Sequence, residues 1–211
     1  MNIFILDEDP VVAAQMQCDK HVVKMIVESA QMLSTAHRML DGKMIMKPSK
    51  SGKRMVKYYD LYEGADDLEA ELLFYKAVHH GHPCTVWTME SSENYKWHWE
   101  HFYALCKEYE YRYGKTHETE RKLLWPLQNL PRNIPKSNQM TPFKLAMKSN
   151  PECFFYNDPV RSYRAFYHTK QDRFKMVWTK RPEPDWWNQE LKEMKNGKIL
   201  GIHETPNERA G

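Results

Sequence analysis

The chain has 211 residues, 41% hydrophobic and 28% charged, a balance that fills one core and excludes a largely disordered polypeptide. A formal charge of +3 does not by itself announce a polyanionic partner. The cations are unevenly spread, however: Lys43, Lys47, Lys50, Lys53, Arg54 and Lys57 crowd one segment, and Glu63, Asp66, Asp67, Glu69 and Glu71 the next, so a basic side is expected.

Residues 2–6 form a short apolar opening, expected to be extended. Asp9-Pro10, Thr141-Pro142 and Asp158-Pro159 each set a capping side chain before a proline suited to the first helical position. They predict a short helix from Pro10 and helices over 142–148 and 159–178. A long helix is predicted over 19–40, closed by Asp41-Gly42. Residues 43–59 mix glycine, proline, serine and many cations, which reads as a loop that a partner could order. A helix over 66–80 follows, ended by Gly81 and Pro83. Another is predicted over 91–113, stopped by Gly114. Prolines between 125 and 135 predict an irregular bridge, followed near the end by a helix over 186–195. The expected fold is all-α: a single-domain irregular helical bundle over 1–195 with a short extended N-terminus and a loose tail over 196–211.

Cys18, Cys84, Cys106 and Cys153 are far apart and form no CxxC pair, which points to reduced core cysteines and a cytoplasmic setting. No run approaches a membrane span, and the opening lacks the basic flank of a signal peptide.

His21, Lys24, Glu28 and Gln31 recur at i, i+3, i+7 and i+10, on one face of a helix whose other positions are mostly apolar. Such a row lines either a cleft or a buried polar network. As a cleft wall it offers an acid–base set; the alternative is a structural Lys24–Glu28 pair with a capped histidine. The run from His79 to Cys84 is dense in possible metal ligands, but no second cluster has matching spacing, so no metal is expected. No Walker loop, dinucleotide glycine fingerprint, nucleophile elbow or HExxH is present, and no cofactor is expected.

Two stretches interleave rings with cations, one from Trp87 to Lys115 and one from Arg161 to Arg181. Bases stack on exposed rings while cations hold phosphates, so a nucleic-acid face is expected, with core packing as the competing reading for the rings. Its candidate residues are Lys20, Lys53, Arg54, Trp87, Ser91, Asn94, His101, Arg112, Lys115, Arg161, Arg164, Lys170 and Arg181.

The apolar opening, Asp19-Lys20-His21, and a glutamate seven residues after the histidine resemble the start of the small all-helical pyrimidine-dimer DNA glycosylases of phages. The run from His82 to Trp87, the helix end from Tyr111 to Lys115, and Arg181-Pro182 with Trp186-Trp187 are similar to later parts of that family. The resemblance implies attack of the chain's α-amine, on Met1, at sugar C1′, an imine that is then eliminated, and Glu28 handling protons and positive charge, with His21 as a backbone or substrate contact. It departs at two DNA-gripping arginine positions, here Val27 and Gln31. It departs also at the chain start, where Asn2 should keep Met1 and its long side chain must be accommodated. The expected function is a DNA-binding glycosylase/AP-lyase-like enzyme on duplex DNA, with Met1, His21, Lys24 and Glu28 as catalytic candidates. The alternatives are a phage-type base or nucleotide modification enzyme, with Lys24 as nucleophile or phosphate anchor, and a non-catalytic nucleic-acid or host-protein binder.

Overall fold

The computed structural model describes residues 1–187, and a cap sets its first helix. Asp9 accepts from the N–H groups of Val11 and Val12, with Pro10 in the first turn, and α1 spans Pro10–Gln15. Helix α2 spans Asp19–Asp41 and buries Val22, Met25, Ile26, Ala30, Leu33 and Ala36 along one stripe. It stops at Gly42, where a Cβ would lie 2.4 Å from the Arg38 carbonyl oxygen, so a side chain there would clash. Helix α6 (Ser92–Tyr113) is capped by Ser91, which accepts from Asn94 N–H, and ended by Gly114 in the left-handed region. Helices α1 and α2 pack on α6, and α2 also packs on α5 (Pro83–Glu90). The continuous core runs from Ile3 to Trp187.

The all-α expectation holds for most of the described chain but misses a sheet. Residues 43–59, read as a loop, form an antiparallel hairpin of β1 (Lys43–Pro48) and β2 (Met55–Asp60), with Lys43 opposite Asp60 and Pro48 opposite Met55. Met44, Ile45 and Met46 pair with Tyr59, Tyr58 and Lys57, and the lysines fall on both faces of the ribbon, Lys47 binding Asp60 over the Tyr58 ring. Lys53 and Arg54 are exposed at its turn.

Of the helix predicted over 66–80 only α4 (Leu68–Leu73) forms; a short α3 (Leu61–Ala65) precedes it, ended by the left-handed Asp66, and Asp67 starts the new helix by capping Ala70 N–H. Beyond Leu73 the backbone is captured by α2: Arg38 binds the carbonyls of Phe74 and Tyr75, and Val78 N–H donates to Thr35. Pro83, read as a stop, is the first residue of α5, with His82 accepting from Cys84 N–H as its cap. A further helix, α7 (Glu118–Leu123), was not predicted.

No helix forms over 142–148. Thr141 does not cap; its hydroxyl donates to Glu90, its N–H donates to Asn94 Oδ1, and its carbonyl accepts from the Trp87 indole. Helix α8 (Pro159–His168) is shorter than predicted, passing into a 3-10 turn over Thr169–Asp172. The predicted helix over 186–195 lies, apart from its first two residues, outside the described residues, as does the tail over 196–211. All four cysteines are free and buried. Among the described residues, no helix is long and apolar enough to cross a membrane.

Candidate active site

The opening segment is folded back on itself rather than extended throughout. Phe4 adopts φ 57°, and Asn2 Oδ1 accepts from Phe4 N–H at 3.0 Å. A left-handed conformation in a bulky residue costs about 1–3 kcal/mol, which the burial of residues 2–6 must offset. Its effect is to bring the chain start onto α2. The Met1 amine lies 3.5 Å from Glu28 Oε2, and Asn2 N–H donates to the same oxygen at 3.0 Å. Lys24 Nζ, one helical turn away, holds Oε1 at 3.0 Å. Met1 as a whole is half-buried, yet its side chain is only 3% exposed, with Sδ accepting from the Thr85 hydroxyl. Its long side chain is thus accommodated inward, and what it exposes is its backbone end.

These groups line a cavity of about 240 Å³, shared with Phe4, His21, Phe166, Lys170, Arg173 and Phe174. Glu28 is the single carboxylate among the lining residues, against the Met1 amine, Lys24, Lys170 and Arg173. Lys20, at the neighbouring turn of α2, sits 4.7 Å from the centre of the Phe174 ring.

The candidate row therefore lines a cleft, but its members differ. Lys24 is exposed, Glu28 is largely covered, and His21 is buried between Phe4 and Phe174. The Tyr167 hydroxyl accepts from Cys18 N–H and meets His21 Nδ1 at 2.8 Å, a hydrogen bond whose direction follows the His21 tautomer. Burial, with Lys24 and Lys170 nearby, pushes the imidazole down to about 3. A neutral His21 donates or stacks at neutral pH; it does not supply a proton by titrating. His82, which caps α5, is lowered by burial, by the Met1 ammonium and by His79, while Glu28 pulls the other way.

Of the expected nucleic-acid residues, Lys170 lines the cleft and Lys20 stands at its rim. Lys115 and Arg161 are exposed elsewhere, Arg161 against the Phe155 ring. Five are buried and support the fold instead of facing a ligand. Trp87 packs on Phe143 and Trp97, and Ser91 and Asn94 cap α6 and hold Thr141. His101 meets the Gln17 side chain and stacks on Trp97. Arg112 binds Glu108, Asp19 and the Gln15 carbonyl. Arg181 makes a bidentate pair with Glu108, and Arg164 binds the Leu6 carbonyl and Asp7. Asn2, Arg173 and Phe174 were not among the candidates. Arg173 belongs to a basic–aromatic run visible in the sequence, whereas nothing local marks Asn2.

Among the described residues, no group of three or more His, Cys, Asp or Glu side chains is placed to hold a metal. What the cleft offers is a primary amine next to a carboxylate, inside a field of positive charge: the parts for nucleophilic attack with proton acceptance.

The buried histidines fix an acid limit. Burial holds His21 and His101 down to about 3 and His37 to about 4, with His98 well below its ordinary value. Below pH 6.5 the unfolded chain binds protons that the folded chain refuses, so stability falls as pH drops, by at most about 1.4 kcal/mol per pH unit for each histidine. The thermal midpoint by circular dichroism is expected to be clearly lower at pH 5 than at pH 7.5; equal midpoints would contradict neutral buried imidazoles.

Searches against protein-family models, curated proteins and solved structures return no match to this chain.

Proposed function

We propose that the protein acts on DNA at a base or its glycosidic bond, as a glycosylase with lyase activity. The observation that carries this reading is the Met1 amine 3.5 Å from Glu28 Oε2 in a cation-lined cleft. It suits the chemistry implied by the resemblance to phage pyrimidine-dimer glycosylases.

In that course the amine lone pair bonds to sugar C1′ as the bond from C1′ to the base breaks; the amine passes a proton to Glu28, and the departing base takes one from water. The nitrogen then drives out the ring oxygen, which takes a proton, leaving an imine between Met1 and C1′. Loss of a C2′ proton expels the 3′ phosphate by β-elimination, and water frees the amine. A carboxylate fixed beside the nitrogen also offsets the positive charge of the protonated imine. Lys24 holds the other oxygen of Glu28 and so orients the one that meets Met1. In this reading Lys24 and Arg173 in the cleft wall and Lys20 beside the Phe174 ring meet phosphates, and that half-buried ring stacks a base.

Product identity tests this reading. Incubation with ultraviolet-irradiated duplex is expected to give a nicked strand, with the cut base, held by its dimer partner, released free on photoreversal, and undamaged duplex left intact. An altered base in unbroken DNA would replace it with a modification reaction, and binding without turnover would replace it with a non-catalytic role.

A further inference from the structure

Lys170 is not explained by the amine–carboxylate pair. Its residue is 8% exposed, it lines the cleft, and no carboxylate is paired with it among the described residues. Its ammonium lies 3.3 Å from the centre of the Phe166 ring, a contact that softens the loss of water without neutralising the charge. Arg173, one turn further on, opens on the same cavity and likewise has no carboxylate partner there. The only carboxylate in the cavity, Glu28, is already engaged by Met1, Asn2 and Lys24. Burying an ammonium without a counter-ion is costly, and replacing it with a neutral group would remove that cost.

We propose that Lys170 and Arg173 form a phosphate-binding subsite in the wall of this cleft. The planar guanidinium supplies two parallel donors and the ammonium a point charge, a combination suited to the tetrahedral oxygens of a phosphate. Under the function proposed above, the phosphate is the diester flanking the nucleotide whose C1′ meets Met1; the subsite itself rests on the unpaired cations. Burial lowers the Lys170 ammonium to about 8, and Arg173 and Lys24 add to the effect, which accords with a positive charge left without its counterpart.

The test compares the wild-type full chain with Lys170→Gln, Lys170→Arg and Arg173→Gln. The probes are a duplex carrying a non-reactive abasic-site analogue and, separately, inorganic pyrophosphate. Lys170→Gln is expected to weaken duplex binding about ten-fold and reduce the slope of log affinity against log salt by about one, while Lys170→Arg retains most of the affinity. The same Lys170→Gln variant is expected to melt at an equal or higher temperature than wild type, which a lysine serving only the fold would not do. If only pyrophosphate binding depends on Lys170, the subsite stands, its phosphate comes from a small nucleotide, and the DNA reading fails. If the duplex effect persists in a protein that gives no free base and no nick, the subsite stands without the glycosylase chemistry. Unchanged binding of both probes by Lys170→Gln, or a variant that loses affinity only because it melts lower than wild type, would overturn the subsite.

Discussion

Replacing Glu28 with glutamine is expected to lower turnover by about two to four orders of magnitude while leaving DNA binding intact or slightly stronger. Three donors converge on this carboxylate: the Met1 amine and Asn2 N–H at Oε2, and Lys24 at Oε1. Glutamine keeps the shape, and its one oxygen can still accept either from the Met1 amine and Asn2 N–H or from Lys24. It carries no charge and cannot take a proton from the amine, and its own NH₂ must face either the amine or Lys24. Removing the one negative group of the cleft makes the cavity more favourable to a polyanion, so affinity and turnover should move apart. Turnover within a few-fold of wild type, measured on a correctly folded variant, would reduce Glu28 to a structural partner of Lys24.

Changing Arg38 to methionine is expected to destabilise the fold by about 3–5 kcal/mol, read from denaturant unfolding. Arg38 is 1% exposed and uses all five of its N–H donors. Nε donates to the Tyr75 carbonyl, Nη1 to Glu71 Oε2 and the Tyr59 carbonyl, and Nη2 to the carbonyls of Glu71 and Phe74. Glu71 in turn accepts from Leu61 N–H and from the Tyr58 hydroxyl. One guanidinium thus fastens the end of β2, helix α4 and the extended strip after it to α2. Methionine would fill much of the volume but leave four carbonyls and a carboxylate short of partners. A loss under about 1 kcal/mol, the range of ordinary surface changes, would contradict this assignment.

Whether an element could be read from the sequence depended on where its hydrogen bonds go. Helices α1, α2, α6 and the start of α8 carry their own signals: Asp9-Pro10, the apolar stripe from Val22, Ser91 with Gly114, and Asp158-Pro159. The segments over 74–80 and 142–148 have comparable local signals, but side chains from elsewhere seize their backbone: Arg38 and Thr35 in the first, Asn94, Tyr163 and Asn2 in the second. The hairpin was hidden by its lysines, which suit a loop by composition but of which Lys47 is tied to Asp60 across the ribbon.

The site divides in the same way. Spacing alone put His21, Lys24 and Glu28 on one face, because that periodicity belongs to a single helix. The arrival of Met1 through the turn at Phe4, and of Lys170 and Arg173 from beyond α8, depends on contacts across some 140 residues that no local pattern encodes. Interleaved rings and cations were a weak guide to surface, since Arg112 and Glu108 satisfy each other in the interior. A buried ion pair and a phosphate contact draw on the same residue types.

The most direct test of the amine–carboxylate site is covalent capture. The protein is incubated with ultraviolet-damaged duplex in borohydride, and the adduct is located by peptide mass mapping. Reduction of the imine is expected to leave a sugar remnant on the nitrogen of Met1, and a chain extended by a few residues before Met1 is expected to give none. An adduct confined to a lysine, or an equal yield from the extended chain, would contradict a Met1 nucleophile.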